Sequence, residues 1–248
     1  IWHLDHVFPV KAFMDFKIYD IKIINCIENL QPLTVEENLE KSDSYIKEDF
    51  INWLKPKLKS KSNSFEELLI LLNFKKIENG DMINEENRIA VCLQDLCPSN
   101  DLIYKHKCYK ENNIRLISFF LDEWINKTSS CINIIKSALG LNNRRIFARN
   151  CECGELNKDQ FKDFCNKFHL QGKSGSKICF YLKYKDELVA GVSLGSHPRD
   201  SKKLSLNRLC FKHGVQIVGG AGKLLKQCIN WAKNNGYKEI PRFAAQDR

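Results

Sequence analysis

Asp5 and His6 stand side by side at the end of the β-prone run Trp2-His3-Leu4-Asp5-His6-Val7-Phe8, which Pro9 closes. Neighbouring side chains of a continuing strand face opposite sides, so the pair serves one site only if the strand ends or twists there. Pro9 supplies such an end. Further on, Thr34-Val35-Glu36-Glu37 spells a capping box, which puts Asn38 in the first turn of a helix and Lys41 one turn on. One carboxylate, one imidazole and one amide at a helix start are the parts of a single-cation hydrolytic site. The two oxygen ligands suit a hard cation, Mg²⁺ or another divalent metal ion, and the imidazole can activate water near neutral pH. His3 alternates with Asp5 and either lines that site or is a packed or solvent-facing histidine.

A second constellation lies near the other end. Val215-Gln216-Ile217-Val218 reads as a strand, and Gly219-Gly220-Ala221-Gly222 then opens a helix. A glycine turn at a helix start presents free amides and the positive end of the helix dipole to an anion. Glycines at such a turn also serve close packing, and that reading stays open. The charge distribution favours anions in this region. Residues 1–62 hold 9 Lys+Arg against 10 Asp+Glu, residues 63–145 hold 11 against 11, and residues 146–248 hold 19 against 9. The whole +9 excess therefore sits in the last third, as do ten of the twelve glycines. A basic segment attached to two neutral ones points to a polyanion, most simply nucleic acid, unless it is merely a solvated face. Arg199, Lys202, Lys203 and Arg208 are the first candidates for phosphate contact.

The elements that must position these residues follow from apolar patterning. The amino-terminal segment reads as strand, long loop, a second strand around Ile23-Ile24-Asn25-Cys26-Ile27, and helix. Residues 65–73 predict a short helix, and Ile89-Ala90-Val91-Cys92-Leu93 and Ile114 to Phe120 predict buried strands flanking a helix over 104–112. In the last third, Asn157 caps a helix carrying Phe161, Phe164 and Phe168. Residues 178–182 and 188–194 form a hairpin, and 204–211 a third strand. Seams fall near Lys59-Ser60-Lys61-Ser62-Asn63-Ser64 and near Leu141-Asn142-Asn143-Arg144-Arg145. Three modules result, 1–62, 63–145 and 146–248, in an α+β chain.

Three resemblances carry this pattern to known families. His3 to Pro9, Asn29-Leu30-Gln31-Pro32-Leu33 and Glu37-Asn38-Leu39-Glu40-Lys41-Ser42 together resemble the HNH motif of ββα-metal nucleases of phages and mobile elements. That resemblance implies Asp5 and Asn38 as metal ligands and His6 as general base. It also implies Asn29 as the residue holding the loop or the His6 ring, and Lys41 as a phosphate contact. Ile114 to Trp124 with the helix that follows resembles the very-short-patch-repair branch of the PD-(D/E)XK endonucleases. Asp81 falls at that family's aspartate position, but Cys92-Leu93-Gln94 stands where acid and lysine belong. This implies an inactive scaffold in which Glu123 and Trp124 are structural. Gln216-x-x-Gly219-x-Ala221 fits the pyrophosphate loop of GNAT acetyltransferases, which implies acyl-CoA at Gln216, Gly219, Gly220, Ala221 and Gly222. The blocks Ile146 to Cys151, His169-Leu170-Gln171-Gly172 and Val218 to Leu225 resemble carboxy-terminal domains of homing-type endonucleases. There His169 is either an acid/base or the anchor of Gly172.

The expectation is a metal-dependent, HNH-type endonuclease that hydrolyses phosphodiesters in double-stranded DNA, a homing-type enzyme of a phage or mobile element. Two alternatives stand beside it: an acyl-CoA-dependent N-acyltransferase working through the carboxy-terminal domain, and a non-catalytic DNA-binding protein. A composition of 43% hydrophobic and 28% charged residues excludes a disordered or low-complexity chain. No apolar run approaches the roughly 18 residues of a membrane span. Eleven cysteines without a CxxC pair suit reduced thiols in a cytoplasm, and the phage and mobile-element resemblance implies that of a bacterium or phage-infected host cell. Both ends read as cut, and the sequence is silent on oligomeric state.

Overall fold

The computed structural model describes residues 2–94, 102–197 and 200–237. The protein mixes α and β elements in several small sheets and divides into two compact units, Ile1–Thr128 and Ser129–Arg248. Among the described residues no helix is long and apolar enough to cross a membrane.

The amino-terminal unit starts from an antiparallel ribbon of β1 (Trp2–His6) and β2 (Leu30–Thr34), with His6 opposite Leu30. Between the two strands lie α1 (Val10–Asp15), α2 (Ile21–Ile24) and a 3-10 turn over Ile27–Asn29. The β-prone run around Ile23 is thus helical, not a strand. Asp20 caps it by accepting from the Lys22 amide, and Ile23 and Ile24 are buried with Phe13 and Phe50. Burial outweighs the weak strand preference of β-branched residues. α3 (Val35–Lys41) starts at the expected capping box, where Thr34 Oγ1 accepts from the Glu37 amide and Glu37 from the Thr34 amide.

α4 (Lys47–Leu71) is 25 residues long, and the polar run Lys59 to Ser64 lies inside it. Helical register explains the continuity. Phe50, Leu54, Leu58, Phe65 and Leu69 are all buried, and separations of four or seven residues keep them on one stripe. The short helix expected over 65–73 is the last part of this element. A four-stranded sheet follows, in the order β3 (Lys75–Lys76), β4 (Met82–Asn84), β5 (Ile89–Gln94), β6 (Arg115–Phe120). β5 and β6 are parallel, as two buried apolar runs separated by α5 (Leu102–Glu111) require. α6 (Leu121–Ala138) leaves helical geometry at Lys127, next to the division between the units.

The carboxy-terminal unit runs through β7 (Arg144–Phe147), a 3-10 turn, β8 (Glu152–Glu155), α7 (Lys158–Phe168), β9 (Ile178–Tyr184), β10 (Glu187–His197), β11 (Asp200–Phe211), β12 (Val215–Val218) and α8 (Gly220–Asn234). β8 to β11 form an antiparallel sheet in the order β11-β10-β9-β8, whereas β12 pairs in parallel with β7. Lys185 and Asp186 both adopt positive φ in the β9–β10 turn, the geometry that matches strand twist in a two-residue hairpin. Val192 and Leu194 pack with Leu224 and Cys228 of α8, while a Cβ on Gly191 would meet the Phe161 ring of α7 at 2.7 Å. Adjacent strand residues face opposite sides, so α7 and α8 cover opposite faces of the sheet. Asn157 caps α7 by accepting from the Asp159 and Gln160 amides.

Candidate functional site

The β7–β12 pair and the start of α8 form one surface. In parallel pairing Arg145 stands opposite Gln216 and Phe147 opposite Val218. Ile146, Val215 and Ile217 point into the core, so these four residues share the outer face. Gly219 takes φ 77°, a left-handed conformation that an L side chain rarely adopts, and turns the chain into α8. Gly220 must stay small, because a Cβ would lie 2.8 Å from Ile217 Cγ2. A Cβ on Gly222 would meet nothing within 4 Å, so that corner of the turn is open.

The electrostatics of this turn favour an anion. No side chain caps the helix, and its first turn holds no acidic residue. The first backbone bond into the turn is from the Lys223 amide to the Gly219 carbonyl, 3.0 Å. The amides of Gly220, Ala221 and Gly222 precede it and point out of the helix end, where the dipole amounts to about half a positive charge. Lys223 Nζ reaches back to the Ala148 and Cys151 carbonyls, 3.0 and 2.6 Å, and ties the turn after β7 to α8. Burial pushes the Cys151 and Cys153 thiols up, against the opposing charge of Lys223. Of the expected loop residues, Gln216, Gly219, Gly220, Ala221 and Gly222 all come together here.

Arg145, Phe147 and Arg149 join them; none was a candidate site residue in the sequence, although Phe147 and Arg149 lie in the Ile146 to Cys151 block. Both guanidiniums lie over the Phe147 ring, Arg149 at 5.0 Å and Arg145 at 5.8 Å from its centre. The alternation Arg145-x-Phe147-x-Arg149 was the available signal, but it gains meaning only once the partner strand is known. The other basic candidates are placed differently. Arg208 donates to the Gly172 and Asn207 carbonyls, 3.0 and 2.7 Å. Lys203 is exposed on β11. Arg199 and the Lys202 side chain lie outside the described residues. His169 accepts from the Gln171 amide at Nδ1, and its carbonyl accepts from Gly172, which has positive φ.

The Asp5 group is assembled around a lysine. Lys41 Nζ donates both to Asp5 Oδ2 and to the His6 carbonyl. Burial pushes the Asp5 carboxyl up, but the Lys41 hydrogen bond and charge, with a backbone hydrogen bond, hold it below its ordinary value. The His6 ring meets Asn25 Oδ1 at 2.9 Å, whereas Asn29 is fully buried and holds the loop through Phe8 N, Phe8 O and Ile24 O. Asn38 lies one turn before Lys41 on α3. Among the described residues no three His, Cys, Asp or Glu side chains are grouped to hold a metal ion.

In the middle segment the buried Asp81 accepts from Lys105 Nζ at 2.6 Å and Tyr109 OH at 2.7 Å. Burial, with the Asp81 charge, pushes the Tyr109 phenol up to about 12. Cys92 bonds Ser118 Oγ at 3.1 Å and Gln94 bonds Cys92 at 3.3 Å, so the strand position expected to carry acid and lysine is occupied by a neutral network. Glu123 accepts from the Phe120 amide and Trp124 packs on Phe65, both parts of the frame. An open cavity of about 600 Å³ lies beside α5, lined by Asn79, Tyr104, Lys105 and Tyr109 among others.

No family model and no curated protein matches the chain. Among solved structures it is similar to the C-terminal domain (DUF2156) of a protein described as lysylphosphatidylglycerol synthetase from Agrobacterium fabrum. The two are 10% identical over 67% of this chain and 68% of that one, with a TM-score of 0.26. It is also similar to L-PGS from Bacillus licheniformis, 13% identical over 66% of this chain and 65% of that one, again with a TM-score of 0.26. The HNH endonuclease expectation, with its phage or mobile-element setting, is corrected. The Asp5 carboxylate that the motif reserves for metal holds the Lys41 ammonium instead.

Proposed function

We propose that the chain is an acyl-CoA-dependent N-acyltransferase whose donor site is the β12–α8 turn of a GNAT-like carboxy-terminal domain. The observation that carries this reading is the uncapped start of α8. There Gly219 makes the turn, Gly220 lets the helix pack against β12, and Gly222 leaves room for a ligand. Three outward amides and a helix dipole match a pyrophosphate, which offers several oxygens and two negative charges to one corner of the protein. Gln216 is exposed on the outer face one residue pair before the turn and offers a neutral amide to the same group.

The reaction is transfer of an acyl group from a thioester to an amine. The amine nitrogen bonds to the thioester carbonyl carbon, the carbon–sulfur bond breaks, and coenzyme A leaves with the proton given up by the amine. The residues of the turn fix the donor's charged middle, and holding one reactant in place lowers the entropic part of the barrier.

Calorimetric titration of the whole chain with acetyl-CoA tests the reading. Saturable binding of one molecule per chain, with a rise in melting temperature, is the expected outcome. No heat and no thermal shift at millimolar acetyl-CoA removes it.

A further inference from the structure

We infer that the Arg145–Phe147–Arg149 stripe is the receptor for the nucleotide end of the donor, with Phe147 stacking on the purine and the two guanidiniums taking the 3′-phosphate. This rests on the acyl-CoA reading above and deepens it. Arg144, next to Arg145 in sequence, and Lys212 share the single Glu187 carboxylate. Arg145 and Arg149 have no such carboxylate among the described residues, and each lies over the Phe147 ring instead. Two guanidiniums over one ring, neither with a carboxylate partner, offer donor forks that match phosphate oxygens.

Phe147 is 41% exposed, although the residues on either side of it, Ile146 and Ala148, are buried. A flat heterocycle carrying a negative group suits such a ring, since it can replace a guanidinium on the ring face while the displaced guanidinium turns to the negative group. Phe147 stands opposite Val218, the residue before Gly219, and strands pair at about 5 Å. A Cβ built on Gly219 would lie 3.8 Å from that of Ala148, and Lys223 staples the Ala148 and Cys151 carbonyls to the first turn of α8. The stripe is therefore held rigidly beside the turn proposed for the pyrophosphate. Coenzyme A carries a pyrophosphate and one further phosphate, one group for each feature.

Calorimetry with coenzyme A and 3′-dephospho-coenzyme A on the full chain tests this. The unaltered protein should prefer coenzyme A by on the order of tenfold, as expected for one additional charged hydrogen-bonded contact. The double variant Arg145→Gln, Arg149→Gln should erase that preference while leaving dephospho-coenzyme A affinity as it was. Phe147→Leu should weaken both ligands equally, with an unchanged melting temperature showing that the fold is intact. Equal binding of the two ligands by the unaltered protein, or a double variant that keeps the preference, overturns the subsite while the donor site stands. Binding of neither ligand overturns the donor site and the subsite together.

Discussion

Gly222→Asp separates stability from donor binding, because the two should move in opposite directions. The residue is the third of α8, with an ordinary φ and nothing within 4 Å of a Cβ, so the new side chain fits without displacing a neighbour. Its carboxylate joins a first turn that has no acidic residue. A negative charge there stabilises a helix by about 0.3–1 kcal/mol through the dipole, and leaving glycine adds a few tenths more. A pyrophosphate at the same amides would meet that carboxylate at about 4–5 Å. Each pair of like charges costs about 1 kcal/mol at that distance in water, and more where water is excluded. Two charges give about 2 kcal/mol, or roughly a thirtyfold weaker acetyl-CoA. Thermal melting and calorimetry on the same sample read both quantities. A variant that binds acetyl-CoA like the unaltered chain refutes the placement of the pyrophosphate. A variant that melts lower refutes the description of an open, uncapped helix start.

Three other outcomes follow from the packing. Gly220→Ala should destabilise the carboxy-terminal unit by about 1–3 kcal/mol in urea denaturation, since its methyl would lie 2.8 Å from Ile217 and 3.1 Å from Phe211; an unchanged midpoint would show that α8 sits less tightly on β12. Asp81→Ala leaves the Lys105 ammonium and the Tyr109 hydroxyl without their shared acceptor and should cost about 1–3 kcal/mol, less in Asp81→Asn, which keeps an acceptor oxygen. Equal stability of both variants would show that the network contributes nothing. The Asp5 carboxyl is held below its ordinary value of 3.8, so it stabilises the folded chain above that pH and loses the contribution as pH falls through its lower folded value. Asp5→Asn should therefore flatten the acid end of the pH–stability curve, and an identical curve would show that the Lys41 pair is energetically silent.

Helix starts were legible from sequence alone because capping is local. Thr34 with Glu37, and Asn157 with the two amides after it, need only four consecutive residues. The same holds for the strand–glycine–helix pattern at 215–222, where a required positive φ and a helix start leave their mark in the residue types. Long-range pairing left no such mark. That Ile23 and Ile24 belong to a helix depends on burial against Phe13 and Phe50, which no local preference records. The polar run inside α4 reads as a linker until the buried stripe on either side is seen to keep helical register. The Asp5 motif shows the sharper limit. Its residue types and spacing match a metal site, yet the order of the chain does not say whether Lys41 will point at phosphate or at Asp5. Only the packing of α3 against the β1–β2 ribbon decides that, and it brings the ammonium onto the carboxylate. Arg145, Phe147 and Arg149 come together with that turn the same way, since the parallel pairing of β7 with β12 sets them beside a segment some seventy residues further along the chain. Local chemistry could be read in one dimension, while the company each side chain keeps was settled by tertiary contacts.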